Sequence, residues 1–395
     1  MRELMAARLE PYRASIFEEM SALARRSGAV DLGSGTPGMA LPEVAAEAAA
    51  EAIAAGWNQY SPVAGEMALR RAVAGHAARF YGETVDPLAE VSITCGVTEG
   101  VEAAMTAFID PGDEVVVLEP SYESYVPSIR FAGGVPVPVT LHAPDFRLDP
   151  DRLALAFSPR TKALILNNPH NPTGKVFGQS ELEAIAALCR RFDVLAIVDE
   201  VYEHIVFDRG RHIRLSRLPG MRDRTLTLSG ASKTFSCTGW RIGWAIGPAS
   251  MQEALNNARQ FSVFCAPTPL QLAIARCLEL EDRYFSELAS AYEARRNILL
   301  GALAHSPFRA LRPAGGLFAL ASFDPREYAD GRECCYELAR QSGVVAMPLD
   351  TFYLEPRRAE PLIRFTFCRP LEIMLEAGRR LSSSRARASM ATGLS

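Results

Sequence analysis

Lys233 stands in Ser229-Gly230-Ala231-Ser232-Lys233-Thr234-Phe235-Ser236, among small residues, with Arg241 eight positions on. An amine attacks a carbonyl only when unprotonated, and a free lysine, pKa about 10.4, is almost wholly protonated at neutral pH. Burial beside a fixed cation such as Arg241 pushes it toward the neutral, nucleophilic form. Small neighbours leave room for a flat ring close to the backbone. The segment therefore fits a Schiff-base lysine with a guanidinium placed for a cofactor phosphate. Alone, it is more often a surface lysine in a Ser/Thr-rich turn.

Other residues carry matching chemistry. Asp199 closes the apolar run 194–198, which puts a carboxylate inside the fold, where it needs a partner. A pyridinium nitrogen suits it, and a helix N-cap explains it as well. Asn171, in the Pro-rich loop Asn167-Asn168-Pro169-His170-Asn171-Pro172-Thr173-Gly174, and the hydroxyl of Tyr202 can both hydrogen-bond a phenolate oxygen. The same loop reads equally as a plain turn, and His170 as a loop histidine without a catalytic part. Gly96-Val97-Thr98-Glu99-Gly100 lies between a strand and a helix, where backbone amides and a hydroxyl make an anion site or simply a cap.

These residues need a scaffold that presents strand ends to one place. Short β-branched runs at 90–94, 114–118, 163–166, 194–199 and 225–229 alternate with apolar-periodic stretches such as 99–108 and 181–192. This predicts a three-layer αβα domain with a mostly parallel sheet, ligands lying beyond the strand ends. From about residue 281 the pattern changes to long helices (284–303, 334–341, 371–381) with short strands at 317–321 and 362–367. The expected division is an N-terminal segment, 1–44, packing on a smaller α+β domain at 281–381, with the large domain at 45–280. Residues 382–395, Ser/Ala/Arg-rich with little to bury, are expected to form a disordered tail.

Composition sets outer limits. A 395-residue chain with 48% hydrophobic and 22% charged residues fits an ordinary globular enzyme of more than one domain. Net charge is −4 with basic residues in scattered pairs, which argues against nucleic-acid binding. The eight cysteines show no Cys-x-x-Cys spacing, so neither a disulfide framework nor a metal site is expected. With no membrane-length apolar run and acidic residues near Met1, the chain reads as cytoplasmic.

Taken in order, Leu32-Gly33-Ser34-Gly35-Thr36-Pro37, Asn58-Gln59-Tyr60, Glu119-Pro120-Ser121-Tyr122, the Asn-Pro loop, Asp199 to Tyr202, the Lys233 segment, Ser262-Val263-Phe264 and Ile363-Arg364-Phe365 resemble one family. It is that of the fold type I, pyridoxal-phosphate-dependent class I/II aminotransferases, in the kynurenine (glutamine K) and methionine aminotransferase branch. The resemblance implies that Lys233 holds the cofactor aldehyde and moves the proton at Cα. It further implies that Tyr122 stacks on the ring, Asp199 pairs with its nitrogen, and Asn171 and Tyr202 hold the phenolate oxygen. Val97, Thr98 and Arg241 take the phosphate, and Arg364 binds the substrate α-carboxylate with Asn171 and the Gly35 backbone. Tyr60 and the Phe264 region reach a neighbouring subunit's site, which implies a homodimer.

The chain also departs from that family. Gly230 replaces a phosphate-binding serine, so Ser229 or Ser232 is expected to compensate. Thr36 replaces an aromatic residue, and Phe17 aligns with a tryptophan, giving a smaller, more polar wall. Asp350 replaces a hydroxyl residue and, if it faces the site, suits a cationic side chain; an exposed loop carboxylate is the other reading. Phe264-Cys265 lacks the second arginine that acidic-substrate relatives contribute, which discounts aspartate as donor. The leading expectation is ping-pong transfer of an amine from a neutral, aromatic, sulfur-containing or cationic L-amino acid to a 2-oxo acid. The alternative, motivated by Thr36 and Asp350, is elimination, replacement or cyclisation at Cβ or Cγ of a cationic substrate such as S-adenosylmethionine or an arginine derivative. A regulator-borne, non-enzymatic version of the fold would carry an added basic helix-turn-helix segment, which is not expected here.

Overall fold

Strands buried on both faces must be apolar throughout, and the Val/Ile/Leu runs of the middle of the chain meet that demand. The computed structural model describes residues 4–12 and 15–392. Its strands are β1 (Val30–Asp31), β2 (Val91–Thr94), β3 (Glu114–Glu119), β4 (Val135–Thr140), β5 (Thr161–Asn167), β6 (Leu195–Asp199), β7 (Thr225–Gly230), β8 (Gly243–Ile246), β9 (Arg309–Ala310), β10 (Phe318–Ser322), β11 (Val344–Val345), β12 (Met347–Pro348) and β13 (Leu362–Thr366). Seven of them form one sheet in the order β2-β8-β7-β6-β5-β3-β4. It is parallel from β7 to β4, with β8 antiparallel to both β2 and β7.

Alternate residues of each strand serve opposite faces. Val116, Leu118, Leu164 and Leu166 pack with Leu182 and Ile185 of the helix Gln179–Phe192. Val115, Val117, Ala163 and Ile165 pack with Val101 and Met105 of the helix Val97–Phe108 and with Leu255 of Ala249–Arg259. The result is the expected three-layer αβα arrangement.

A second, antiparallel sheet in the order β12-β13-β10-β9 lies with the helices Asp282–Leu303, Gly331–Ser342 and Leu371–Thr392. The N-terminal segment is tied to this part: β1 pairs with β11, and Arg332 of the helix Gly331–Ser342 bonds Glu19 at 2.5 Å.

Two strands of the seven-stranded sheet were not legible from the apolar pattern. β4, Val-Pro-Val-Pro-Val-Thr, carries prolines at 136 and 138, which an edge strand tolerates because every second N–H points away from its neighbour. β8, Gly-Trp-Ala-Ile, has no run of β-branched residues. The tail expectation needs correction: the last helix runs to Thr392, eleven residues beyond Leu381, and 393–395 lie outside the described residues. Little apolar surface argues against packing, but Ala, Arg and Ser with no Gly or Pro before Gly393 still sustain a helix.

Candidate active site

The C-terminal ends of β3, β5, β6 and β7 open onto a cavity of 270 Å³. Asp199 is the last residue of β6, Asn167 the last of β5, and the short helix Ala231–Thr234 that follows β7 carries Lys233. Of the residues expected from sequence, Phe17, Gly35, Thr36, Val97, Thr98, Tyr122, Asn171, Asp199, Tyr202, Ser232, Lys233, Arg241 and Arg364 all line this cavity.

Lys233 is half-buried because it borders the cavity, and its Nζ donates to the Gly35 carbonyl at 3.1 Å. Burial lowers its pKa, and Arg364 and Arg241 push the same way. The surroundings of Lys233 therefore favour the neutral amine. Asp199 is buried and takes Tyr125 Oη on Oδ2 at 2.6 Å and the Val201 N–H on Oδ1 at 3.0 Å. Burial pushes its pKa up to about 6 despite those donors. A carboxylate held at that cost is a ready partner for a buried cation.

Arg364, central in β13, is fully buried. Its guanidinium lies 4.0 Å from the ring of Phe318, 4.9 Å from Phe352 and 5.3 Å from Phe17. Two of its nitrogens donate, to Asn171 Oδ1 and to the Gly33 carbonyl, both at 3.0 Å, while Nε has no partner. Neither acceptor is a carboxylate, and burial brings its pKa down to about 10. A cation in an aromatic box with a donor unused is an anion receptor. Across the cavity, Gly96 sits at φ +81° as the cap of the helix Val97–Phe108, and a Cβ there would come within 2.5 Å of Arg241 Nη2. Arg241 itself is exposed at the rim in a left-handed conformation. Glycine at this position lets the Arg241 guanidinium lie directly against the helix start, so amides and guanidinium can face one anion.

These observations test the fit of pyridoxal phosphate. A buried carboxylate for the ring nitrogen, a lysine of lowered pKa, an amide-and-guanidinium cradle for phosphate and an unused anion receptor are all present.

Several expected residues fall elsewhere. Ser229 does not line the cavity: its hydroxyl donates to Glu203 at 2.6 Å on the buried side of β7. Glu203 belongs to a network in which Arg214 pairs with Glu83, Glu200 and Glu203 at 2.9–3.0 Å, beneath His76 and His204, whose Nε2 atoms are 2.7 Å apart. Ser229 faces this network because strand alternation fixes its side. Ser232, one turn on, reaches the cavity. Asp350 is also absent from the lining; it is half-buried, burial raises its pKa, and Phe352 presents its ring toward Arg364 in that position. Tyr60, 83% exposed, stacks edge-on with Phe264 at 5.4 Å. Both lie outside the cavity, and Tyr60 shares a neighbouring surface depression with Thr98 and Arg241. His170 is buried against Thr173 at 2.8 Å and takes no part in the lining. Tyr125, Asn167 and Phe318 line the cavity without having been singled out. The Tyr122-x-x-Tyr125 spacing was the available signal for the first.

This fold and this constellation define a pyridoxal-phosphate-dependent enzyme. The profile of the family described as aminotransferase class I and II matches residues 27–380, and the chain belongs to that family. The chain is 42% identical, over 96% of its length and 98% of the relative's, to a probable N-succinyldiaminopimelate aminotransferase of Mycobacterium tuberculosis. A solved structure of the enzyme from that organism superposes with a TM-score of 0.92, 43% identity, and coverage of 96% of this chain and 100% of the other. The methionine aminotransferase of Escherichia coli is 36% identical over 93% of this chain and 95% of the relative. A Thermus thermophilus aspartate aminotransferase with maleate has a TM-score of 0.89 and 34% identity, covering 97% and 100% of the two chains. The protein is an aminotransferase, and these relatives favour amine transfer over the elimination or cyclisation alternative. Asp350, which had motivated that alternative, does not reach the cavity.

Proposed function

We propose that the chain moves the amine of a neutral, aromatic or sulfur-containing L-amino acid to a 2-oxo acid in a ping-pong cycle. The observation that carries this reading is Arg364 in its aromatic box, an anion receptor opening on the same cavity as Lys233. When bound, pyridoxal phosphate supplies an aldehyde and a ring that accepts the electron pair left at Cα. Arg364 and Asn171 fix the substrate α-carboxylate, so that Cα faces the Lys233 amine. Lys233 Nζ would take the Cα proton of the substrate and hold it for return to the carbon that the cofactor aldehyde contributes. Asp199 holds a positive ring nitrogen, Tyr122 covers the ring, and Asn171 and Tyr202 hold its phenolate oxygen. Val97, Thr98, Ser232 and Arg241 take the phosphate. Phe17 and Thr36 form the wall nearest the substrate side chain.

The exposed Tyr60 and Phe264, beside Arg241, support a homodimer whose sites are completed across the interface. Residues 1–44, 45–280 and 281–381 are read as N-terminal segment, cofactor-binding domain and smaller domain. Among the described residues no helix is long and apolar enough to cross a membrane, which agrees with a cytoplasmic enzyme. A panel of amino acids added singly to the cofactor-loaded protein, followed by absorbance, tests the substrate class. Methionine, phenylalanine and kynurenine should convert the cofactor at least tenfold faster than aspartate, because the wall of Phe17 and Thr36 offers no cation to a second carboxylate. Preference for aspartate would overturn the assignment.

A further inference from the structure

Tyr125 opens the helix Tyr125–Phe131 and is buried, three residues after the ring-covering Tyr122. The two rings meet edge-on at 5.7 Å, and the Tyr125 hydroxyl reaches Asp199 Oδ2 at 2.6 Å. The other carboxylate oxygen is held by the Val201 N–H at 3.0 Å, from the turn that follows β6. Each oxygen of Asp199 therefore has one fixed donor, and a carboxylate oxygen can accept a second.

We propose that Tyr125 is a positioning residue that fixes Asp199 in orientation and keeps it ionised, so that the cofactor's ring nitrogen stays protonated. The inference rests on the reading of Asp199 as the ring nitrogen's partner. A buried carboxylate favours its neutral form, and a neutral acid leaves the ring nitrogen without a counter-charge. The phenol opposes that drift because its hydrogen bond is made to the charged form, and such bonds are the stronger class. Burial of Asp199 and the lowering influence of Tyr125 on its pKa agree in direction with this. The arrangement also joins two tasks in one helical turn: Tyr122 sets the ring plane and Tyr125 sets the carboxylate facing its edge. A shift of this helix start would disturb both together.

The Tyr125→Phe protein removes one oxygen and keeps the packed ring, so it isolates the hydrogen bond. The readout is the 15N chemical shift of cofactor labelled at the ring nitrogen, followed from pH 6 to 10 in the substrate-free holoenzyme. The unaltered enzyme should show a protonated nitrogen to high pH. In Tyr125→Phe the deprotonation midpoint should fall by one pH unit or more, tenfold or more in proton affinity, and cofactor dissociation should become faster. Placing 3-fluorotyrosine, a stronger donor, at position 125 should move the midpoint the other way. Identical titrations in the unaltered and Tyr125→Phe proteins would assign Tyr125 to packing alone and overturn the proposal. An unprotonated nitrogen in the unaltered enzyme at pH 7 would instead remove Asp199 from its assigned role, a separate failure.

Discussion

At the scale of single residues, chemistry follows from which groups burial leaves without a partner. Arg364 is the plainest case, because three rings surround its guanidinium and, among the described residues, its two hydrogen-bond acceptors are an amide and a backbone carbonyl. Replacing it by glutamine should raise KM for both amino acid and oxo acid and lower kcat/KM roughly 10- to 100-fold, the range of a lost charged hydrogen bond. Cofactor affinity should hold. Steady-state kinetics with parallel cofactor titration checks this, and loss of cofactor with unchanged KM would reassign the residue. Lys233, Asp199, Asn171 and Tyr202 could be singled out from their residue types and neighbours, whereas Arg364, central in its strand, was assigned through the family resemblance. Ser229 and Asp350 were left open between two readings for a shared reason: spacing brings a residue near a site, but strand parity and the local turn decide which way it points. Tyr125 was passed over because its partner, Asp199, is 74 residues away in the chain.

At the scale of elements, the site depends on strand ends and helix starts meeting in one place. The buried runs of β3, β5, β6 and β7 were readable because a parallel sheet has no polar face to interrupt them. β4 and β8 were not, one for its prolines and the other for its lack of a β-branched run. Gly96 shows how tightly the junction is built, being the cap of its helix at positive φ with Arg241 close against it. Gly96→Ala should displace the Arg241 guanidinium and strain the backbone. We expect cofactor affinity to fall roughly tenfold or more, the scale of one such strained residue, while Tm of the cofactor-free protein drops by a few degrees at most. Equilibrium dialysis and thermal melts separate the two effects; unchanged affinity would show that the helix start and Arg241 do not share a ligand.

At the scale of the whole molecule, the buried His76 and His170 and the half-buried His204 couple stability to pH. Burial brings His76 down to about 4, and His170 and His204 down to about 3. Their unfolded values lie near 6.5. Between those limits the unfolded chain binds protons that the folded protein refuses, so their stability contribution is complete above about pH 6.5 and is lost as pH falls toward 4 and then 3. Each unit of difference is worth about 1.4 kcal/mol. Asp199 acts in the opposite sense in cofactor-free protein, since its pKa is raised to about 6 and stability grows as pH falls below that value. Urea midpoints of cofactor-free protein should fall steeply from pH 7 to 5, and His204→Phe should flatten the slope. A flat profile in the unaltered protein would mean that these histidines open to solvent before unfolding.

The central claim is that one amine passes intact from donor to acceptor. It is tested most directly by incubating the cofactor-loaded enzyme with 15N-labelled methionine and an unlabelled 2-oxo acid, then following the label by mass spectrometry. The account predicts 15N in the new amino acid, in one-to-one proportion with the oxo acid formed from methionine. Label released as ammonia, or retained in a product with an altered Cβ or Cγ, would contradict it.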